Sequence, residues 1–442
     1  MKRESAKLLV CDNGGNIYDH HELSMTGQSG ASWVRVDEEE LIPLPEGTKV
    51  FFLPGSQAVG WDEAAQKPKV LKNMRGVTAM LQAGYARTLL PAASYPGGAP
   101  DYGCHSYLPL WAYAAVGWRE GKMVAAAFRV DPMTHSETCH YDDREIAPRV
   151  RKRIKKSPQN RLITHLSRCA LEYHCFAAKN FFMQRWEAPL PTAMACNAAC
   201  VGCISLQPSD CCPASQERIE FTPTVEELSE VAVEHLEGVE RGVVSFGQGC
   251  EGEPLLGGNL LESAVKDFRA RTQKGTVHLN TNGSLPEELL KVARAGLDSV
   301  RISANSARET AYNAYYRPRT YRFSDVRRSL ELSVKEGLYT ALNYLIFPGV
   351  TDLPEEMDAL FELVNSTGLQ MVHFRNMSID PRLYLENLPK DIKEAKGAIG
   401  IKNAALKLKR EFPKLDIGYF NRPKEEFGAP LTTLEFLEGK GS

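Results

Sequence analysis

The chain has 442 residues, and at roughly 100–200 residues per domain it has length for two to four domains. Hydrophobic residues make up 43% and charged residues 24%, the balance of a folded globular protein rather than a disordered one. Fifty-three Lys and Arg stand against 55 Asp and Glu, so the net charge is −2 and no global field recruits nucleic acid or an anionic membrane.

No apolar run approaches the ~20 residues that cross a bilayer. After Lys2 and Arg3, the run Leu8–Cys11 is too short for a signal-peptide core, so the expected location is the cytoplasm. There are 11 cysteines and none lies beyond Cys250. An odd number without an export signal points to reduced thiols or metal ligands instead of a disulfide framework.

The first ~140 residues carry short β-like runs at Lys7–Cys11, Ser32–Val36, Lys49–Leu53 and Met123–Val130, separated by turns such as Asp12-Asn13-Gly14-Gly15. This predicts a β-rich or mixed accessory domain. Residues 144–161 are sharply basic: Arg144, Arg149, Arg151, Lys152, Arg153, Lys155, Lys156 and Arg161 against the single acid Glu145. Such a run is either a solvated helix face or a docking patch for a phosphate-bearing substrate or nucleic acid. Residues 161–185 read as helix, with Leu162, His165, Leu166, Cys169, Ala170 and Tyr173 at i, i+3, i+4 spacing.

From about residue 190 the pattern alternates. Helical segments at 225–238, 257–272, 285–295, 323–336 and 353–365 separate apolar runs at Gly242–Gly247, Thr276–Asn280, Ser299–Ala304, Thr340–Phe347 and Gln370–Arg375. With a first strand near 190–195, this makes about six β/α units joined by right-handed crossovers. Six units fall short of a closed eight-fold barrel and fit an open partial barrel, although periodicity alone also allows a doubly wound sheet. In both, ligands gather at the C-terminal ends of the strands.

The strongest chemical signal is Cys196-Asn-Ala-Ala-Cys200-Val-Gly-Cys203. Three thiolates at this spacing wrap one side of an iron–sulfur cubane, and four-iron clusters normally take four ligands. Three therefore leave one iron open to a non-protein group, which chemistry on a metal requires. The rival reading is a zinc site with a fourth ligand from elsewhere.

This loop, following the first strand of a partial β/α barrel, resembles that of the radical S-adenosylmethionine (radical SAM) superfamily. Gly252-Glu253-Pro254 after the second strand is similar to that family's Gly-Gly-Glu motif, and Asn280-Thr281-Asn282-Gly283 to its Thr-Asn-Gly tip. Arg301-Ile-Ser303-Ala-Asn305-Ser306 matches its fourth strand, and Leu345–Val350 the apolar strand and Gly turn beside adenine. One departure stands: Gly202 replaces the aromatic residue usual before the third cysteine.

The resemblance implies a partial (β/α)6 barrel holding a [4Fe-4S] cluster on Cys196, Cys200 and Cys203. It implies S-adenosylmethionine bound by Gly252, Glu253, Pro254, Asn282, Ser303 and Asn305, with Glu253 nearest the methionyl ammonium. The implied reaction is reductive cleavage of S-adenosylmethionine to a 5′-deoxyadenosyl radical that abstracts hydrogen, fed by an electron donor such as a flavodoxin or ferredoxin. The corresponding organisation is an accessory domain (1–143), a basic helical linker (144–188), the radical SAM core (189–384) and a C-terminal extension (385–442).

Other residues remain open to two readings. His165, Cys169, His174 and Cys175 are buried apolar thiols with satisfied histidines, or a second iron–sulfur or metal site that also draws on Cys104, Cys139, Cys211, Cys212 or Cys250. Cys250 is otherwise a loop residue or a catalytic thiol that donates hydrogen to a substrate radical. Gln370, His373, Arg375, Asn376, Arg317 and Arg319 are substrate-facing candidates or solvated strand ends. A peptide or protein substrate is favoured, because the long N-terminal part suits a macromolecule. A small metabolite, a cofactor precursor or RNA are the alternatives, as is a non-catalytic iron–sulfur electron carrier, which would have no use for the Gly-Glu-Pro turn.

Overall fold

A computed structural model describes residues 5–96, 107–135, 141–207, 212 and 214–440; Cys104, Cys139 and Cys211 lie outside them. The N-terminal part is β-rich, as its alternating runs imply. Twelve antiparallel strands form one sheet, and Thr26–Ser29, Ser32–Arg35 and Leu90–Pro91 form a second. Lys7–Cys11 pairs with Ile17–Ser24 through the Asp12–Gly15 turn, where Gly15 adopts φ +89°. Val10 and Cys11 are wholly buried on this strand.

Three helices follow: α1 (Asp143–Lys156), α2 (Arg161–Leu171) and α3 (Phe176–Met183). The helix expected over 161–185 is therefore two helices. His174 interrupts it with φ +52°, a backbone state that ends a right-handed helix. The basic run lies mostly on α1, which packs near α4 (Val225–Gly238). Arg153 pairs with Glu230 (3.4 Å) and Glu234 (3.2 Å), Lys156 with Glu234 (2.9 Å), and Arg161 at the head of α2 with Glu227 (2.7 Å). Much of the basic charge is thus spent inside the chain, against the acidic flank of α4.

The C-terminal part holds a seven-stranded, all-parallel sheet in sequence order: Glu187–Pro189, Val243–Phe246, Thr276–Thr281, Ser299–Ala304, Tyr339–Ile346, Met371–Asn376 and Asp416–Gly418. Its middle strands are buried on both faces, the reason they read as near-continuous apolar runs. Helices cover the outside; α4 is started by a Thr224–Glu227 capping box and buries Leu228, Val231, Ala232 and Leu236. The first strand lies just before the 190–195 expected for it. A seventh strand, from the segment expected to be an extension, continues the sheet beyond six units.

First and seventh strands do not pair, so the barrel is open along a seam. Asn421 Nδ2 bridges it by donating to Glu187 Oε1 (2.7 Å), and Trp186 meets Phe420 edge-on at 5.7 Å.

The N-terminal part docks on the C-terminal ends of the fifth, sixth and seventh strands. Gly30 N–H donates to the Pro348 carbonyl (2.8 Å), against Gly349 at φ +84°. A Cβ on Gly349 would stand 1.9 Å from Gly30 N, so only glycine permits this approach. Asn376 accepts from Arg87 N (2.9 Å) and donates to the Tyr85 carbonyl (2.8 Å). Buried Asp131 accepts from Tyr419 N (2.7 Å) and Phe420 N (3.0 Å). Asn376 is therefore committed to holding the two parts together.

Candidate active site

The three cysteines sit on a loop leaving the first strand, and Cys196, Cys200 and Cys203 are all half-buried. The loop is held from outside by backbone bonds: Ala199 N–H to the Tyr316 carbonyl (3.0 Å), Val201 N–H to the Tyr315 carbonyl (2.9 Å), and Arg319 N–H to the Asn197 carbonyl (3.0 Å). The Tyr-rich segment Glu309–Tyr316, an unanticipated helix, is thus the loop's scaffold. It also explains Gly202, where a Cβ would lie 2.8 Å from Tyr315 Oη. The space of the missing aromatic side chain is bordered by Tyr315.

Asn197 carries the loop's second tie. It donates to Ser284 Oγ (2.9 Å) and accepts from Asn282 Nδ2 (2.9 Å), at the tip of the third strand. Asn282 N–H in turn donates to Glu253 Oε2 (2.8 Å), and Thr281 Oγ1 donates to Glu253 Oε1 (2.5 Å). Cysteine loop, Gly-Glu-Pro turn and Thr-Asn-Gly tip are therefore one hydrogen-bonded unit. Glu253 is buried, and burial pushes its carboxyl up to about 7 against the pull of these donors.

Gly252 and Glu253 run beside residues 193–195: Gly252 N–H donates to the Ala193 carbonyl (2.7 Å) and Glu253 N–H to the Ala195 carbonyl (2.9 Å). Glu251, which the sequence motif does not single out, accepts five hydrogen bonds. They come from Thr192 N and Oγ1, Ala193 N, Gly247 N and Gln248 N, at 2.6–3.1 Å. It fastens the end of the first strand to the loop after the second. Arg218, equally silent in the sequence, places Nη2 3.5 Å from Cys203 Sγ.

The donor set fits an iron–sulfur cluster. Burial raises the Cys196 thiol and raises Cys200 well above its ordinary range, and the neighbouring thiolates raise both further. Thiols raised in this way suit a cationic partner, which a cluster supplies. Ala198 N–H already points at Cys196 Sγ (3.5 Å).

The fourth strand's residues fit hydroxyl and amine groups. Asn305 spends its amide on the Ala311 carbonyl (3.1 Å) and Tyr384 Oη (3.0 Å), which leaves its buried Oδ1 without a partner. Ser303 Oγ accepts from Asn343 Nδ2 (3.0 Å), and Asn343 Oδ1 is likewise unpartnered. Pro254 opens a short helical turn capped by Glu253, whose side chain takes Leu255 N–H (3.1 Å).

Cys250 stands apart from this unit. It is buried beside His165 and Cys169, and the ligand atoms of these three lie within 4.8 Å of one another. Cys169 is pushed down to about 5, first by its hydrogen bond with Cys250, which is itself driven up. Of the remaining candidates, Arg317 binds Asn387 Oδ1 (2.5 Å), and Gln370 accepts Thr340 N–H (2.8 Å). His174 lies 3.7 Å from Asp143, and Cys212 is buried.

A cavity of about 720 Å³ opens at the seam, lined by Gln82 of the N-terminal part and by Trp186, Glu187, Gln248, Arg301 and Arg375. Gln248 lies on the same loop as Gly252 and Glu253. Arg301 is buried, its guanidinium lowered to about 9 by burial and then by Arg375. Its Nε has no hydrogen-bond partner and Nη1 stands 3.4 Å from His373 Nδ1. Among the described residues neither Arg301 nor Arg375 has a direct ion pair, although the Glu187 carboxylate of the same cavity acts on Arg301; Arg375 lies over the Tyr419 ring at 4.6 Å. Among the same residues, no helix is long and apolar enough to cross a membrane.

Residues 190–364 match the family model described as the Radical SAM superfamily. No curated protein matches the chain. Among solved structures, native anSMEcpe with bound AdoMet is 18% identical, with 52% of this chain aligned to 63% of that one at a TM-score of 0.37. SuiB of Streptococcus suis bound to its precursor peptide SuiA is 12% identical, with 58% of this chain and 52% of that chain covered at 0.37. HydG, a maturase of the [FeFe]-hydrogenase, is 14% identical, with 63% and 67% covered at 0.38. The chain spans less than two thirds of the first two, and these likenesses carry no argument about activity.

Proposed function

We propose, on the match of residues 190–364 to the Radical SAM superfamily model, that this protein binds a [4Fe-4S] cluster on Cys196, Cys200 and Cys203 and uses it to cleave S-adenosylmethionine reductively. The observation that carries this reading is the single hydrogen-bonded unit joining the cysteine loop, Glu253 and Asn282. When bound, the cluster supplies one electron to the sulfonium carbon–sulfur bond and so the 5′-deoxyadenosyl radical that abstracts hydrogen.

The chain's own residues bind and orient. Gly252, Glu253 and Pro254 receive the methionyl ammonium, with Glu253 as its buried carboxylate. Ser303 and the free Oδ1 of Asn305 accept from ribose hydroxyls, and Asn282 fixes the turn that carries Glu253. The N-terminal part, clamped over the ends of three strands, keeps water from the radical. Reduction by a flavodoxin- or ferredoxin-type donor completes the cycle.

Anaerobic reconstitution with iron and sulfide, followed by S-adenosylmethionine and a strong reductant, is expected to give a four-iron spectrum and 5′-deoxyadenosine by chromatography. Absence of both would remove the proposal.

For the substrate, the cavity supports a peptide or protein segment that presents a carboxylate to Arg301 and Arg375. Its volume lies in the usual range for a ligand site, about 300–1,000 Å³. Two guanidiniums without direct ion pairs among the described residues, against the single nearby carboxylate of Glu187 acting on Arg301, favour an anion over an apolar side chain. A small carboxylated metabolite has the same chemistry and is the second reading. RNA is less supported, because Arg153, Lys156 and Arg161 are held in ion pairs. Arg375→Met is expected to raise KM for the substrate by about 10- to 100-fold, the cost of one charge-assisted pair at ~1.5–3 kcal/mol. Steady-state assays comparing acidic peptides with short carboxylates separate the two readings.

A further inference from the structure

The cysteine loop does not account for the thiols buried behind it. His165 and Cys169 are four residues apart on α2 and so share one face, and Cys250 reaches them from the loop after the second barrel strand. Cys169 Sγ stands 3.5 Å from His165 Nε2. A tetrahedral zinc ion with Zn–S of about 2.3 Å and Zn–N of 2.0–2.1 Å sets its sulfur and nitrogen ligands about 3.5 Å apart. The spacing therefore suits a single ion. Thiolates on different irons of a cubane stand farther apart, and among the described residues only this group has all its ligand atoms within 4.8 Å.

We infer that His165, Cys169 and Cys250 form a second metal site, a mononuclear zinc-class centre distinct from the three-cysteine loop. Two thiolates and an imidazole are the soft-to-borderline donors such an ion selects. Cys175 adjoins the site, its N–H donating to the Cys169 carbonyl (2.9 Å). Both thiols of the site are buried, and its half-buried imidazole borders Phe221 edge-on at 6.4 Å, so an ion there serves structure over turnover. Its effect is mechanical. The ion pins α2 to the loop 247–253, and with Glu251 it sets the position of Gly252 and Glu253.

The test uses the full chain carrying Cys196→Ala, Cys200→Ala and Cys203→Ala, which removes the other thiolate site and so separates this inference from the proposed reaction. Supplied with zinc and dialysed, this protein is expected to keep one ion per chain by elemental analysis. Cobalt in its place is expected to give the intense visible bands of a tetrahedral thiolate site. Adding Cys250→Ala or His165→Ala is expected to release the zinc and erase the thiolate-to-cobalt or tetrahedral signature, with circular dichroism reporting that the chain remains folded. The cobalt spectrum needs no further variant, so a misfolded Cys250→Ala chain leaves the question answerable. Retention of iron with inorganic sulfide, or no stoichiometric zinc and no tetrahedral cobalt bands, would overturn the inference.

Discussion

Cys200→Ala is expected to abolish cluster assembly at the loop and, with it, 5′-deoxyadenosine formation, to below one part in a thousand of the wild-type rate (at least ~4 kcal/mol in the barrier). Removing one of three thiolates leaves two protein ligands, too few to retain a cubane that already gives one iron to a non-protein group. At Cys200, burial and both neighbouring thiols raise the thiol well above its ordinary range, so its thiolate depends on the cluster. The apo loop should survive the change, because Ala199 and Val201 bind Tyr316 and Tyr315 through the backbone and need no side chain at position 200. Iron and sulfide analysis beside a thermal melt distinguishes the two: iron falls while the melting temperature moves little. Cys11→Ala, in a wholly buried position of the N-terminal sheet, is the control. It is expected to lower stability by an ordinary small-cavity cost and to leave iron content unchanged.

The sequence is most legible where one element carries its own signal. The strand Ser299–Ala304 and helix α4 fall where their apolar spacing puts them, because burial on known faces fixes both periods. The first and seventh barrel strands are three residues each, Glu187-Ala-Pro and Asp416-Ile-Gly, too short for any period to show. Their places are set by partners: Glu187–Pro189 lies beside Val243–Ser245, and Asp416–Gly418 beside Met371–His373.

The site divides in the same way. A three-cysteine spacing is local and readable, whereas the Asn197–Asn282 hydrogen bond joins residues 85 apart. Glu251 looks like any acid next to Gly252 until its five donors are brought around it. The basic run on α1 has two readings in sequence for the same reason, since Glu230 and Glu234 answer it from another helix. Cys250 is the sharpest case: one thiol in a catalytic-face loop suggests hydrogen donation, while folding sets it beside His165 and Cys169.

The second large effect is expected from Gly252→Ala. An added Cβ would stand 1.9 Å from the Ala195 carbonyl oxygen and 2.4 Å from its carbon, both backbone atoms with no rotamer to yield. Overpacking a core typically costs about 1–3 kcal/mol, and a clash against backbone belongs at or above the upper end. Here the strain cannot stay local. Relieving it means parting Gly252–Glu253 from residues 193–195, breaking the bonds at 2.7 and 2.9 Å that align the Gly-Glu-Pro turn with the start of the cysteine loop. The variant is therefore expected to lose iron content and to weaken S-adenosylmethionine binding together, read by cluster absorbance and by calorimetric titration of the anaerobic protein. Gly238→Ala at the end of α4 provides the contrast, since a Cβ there meets nothing within 4 Å. It should bind both normally and melt no lower than wild type, as alanine is the better helix residue. If Gly252→Ala also kept its iron and its affinity, the close approach of these two backbone segments would not be what positions Glu253.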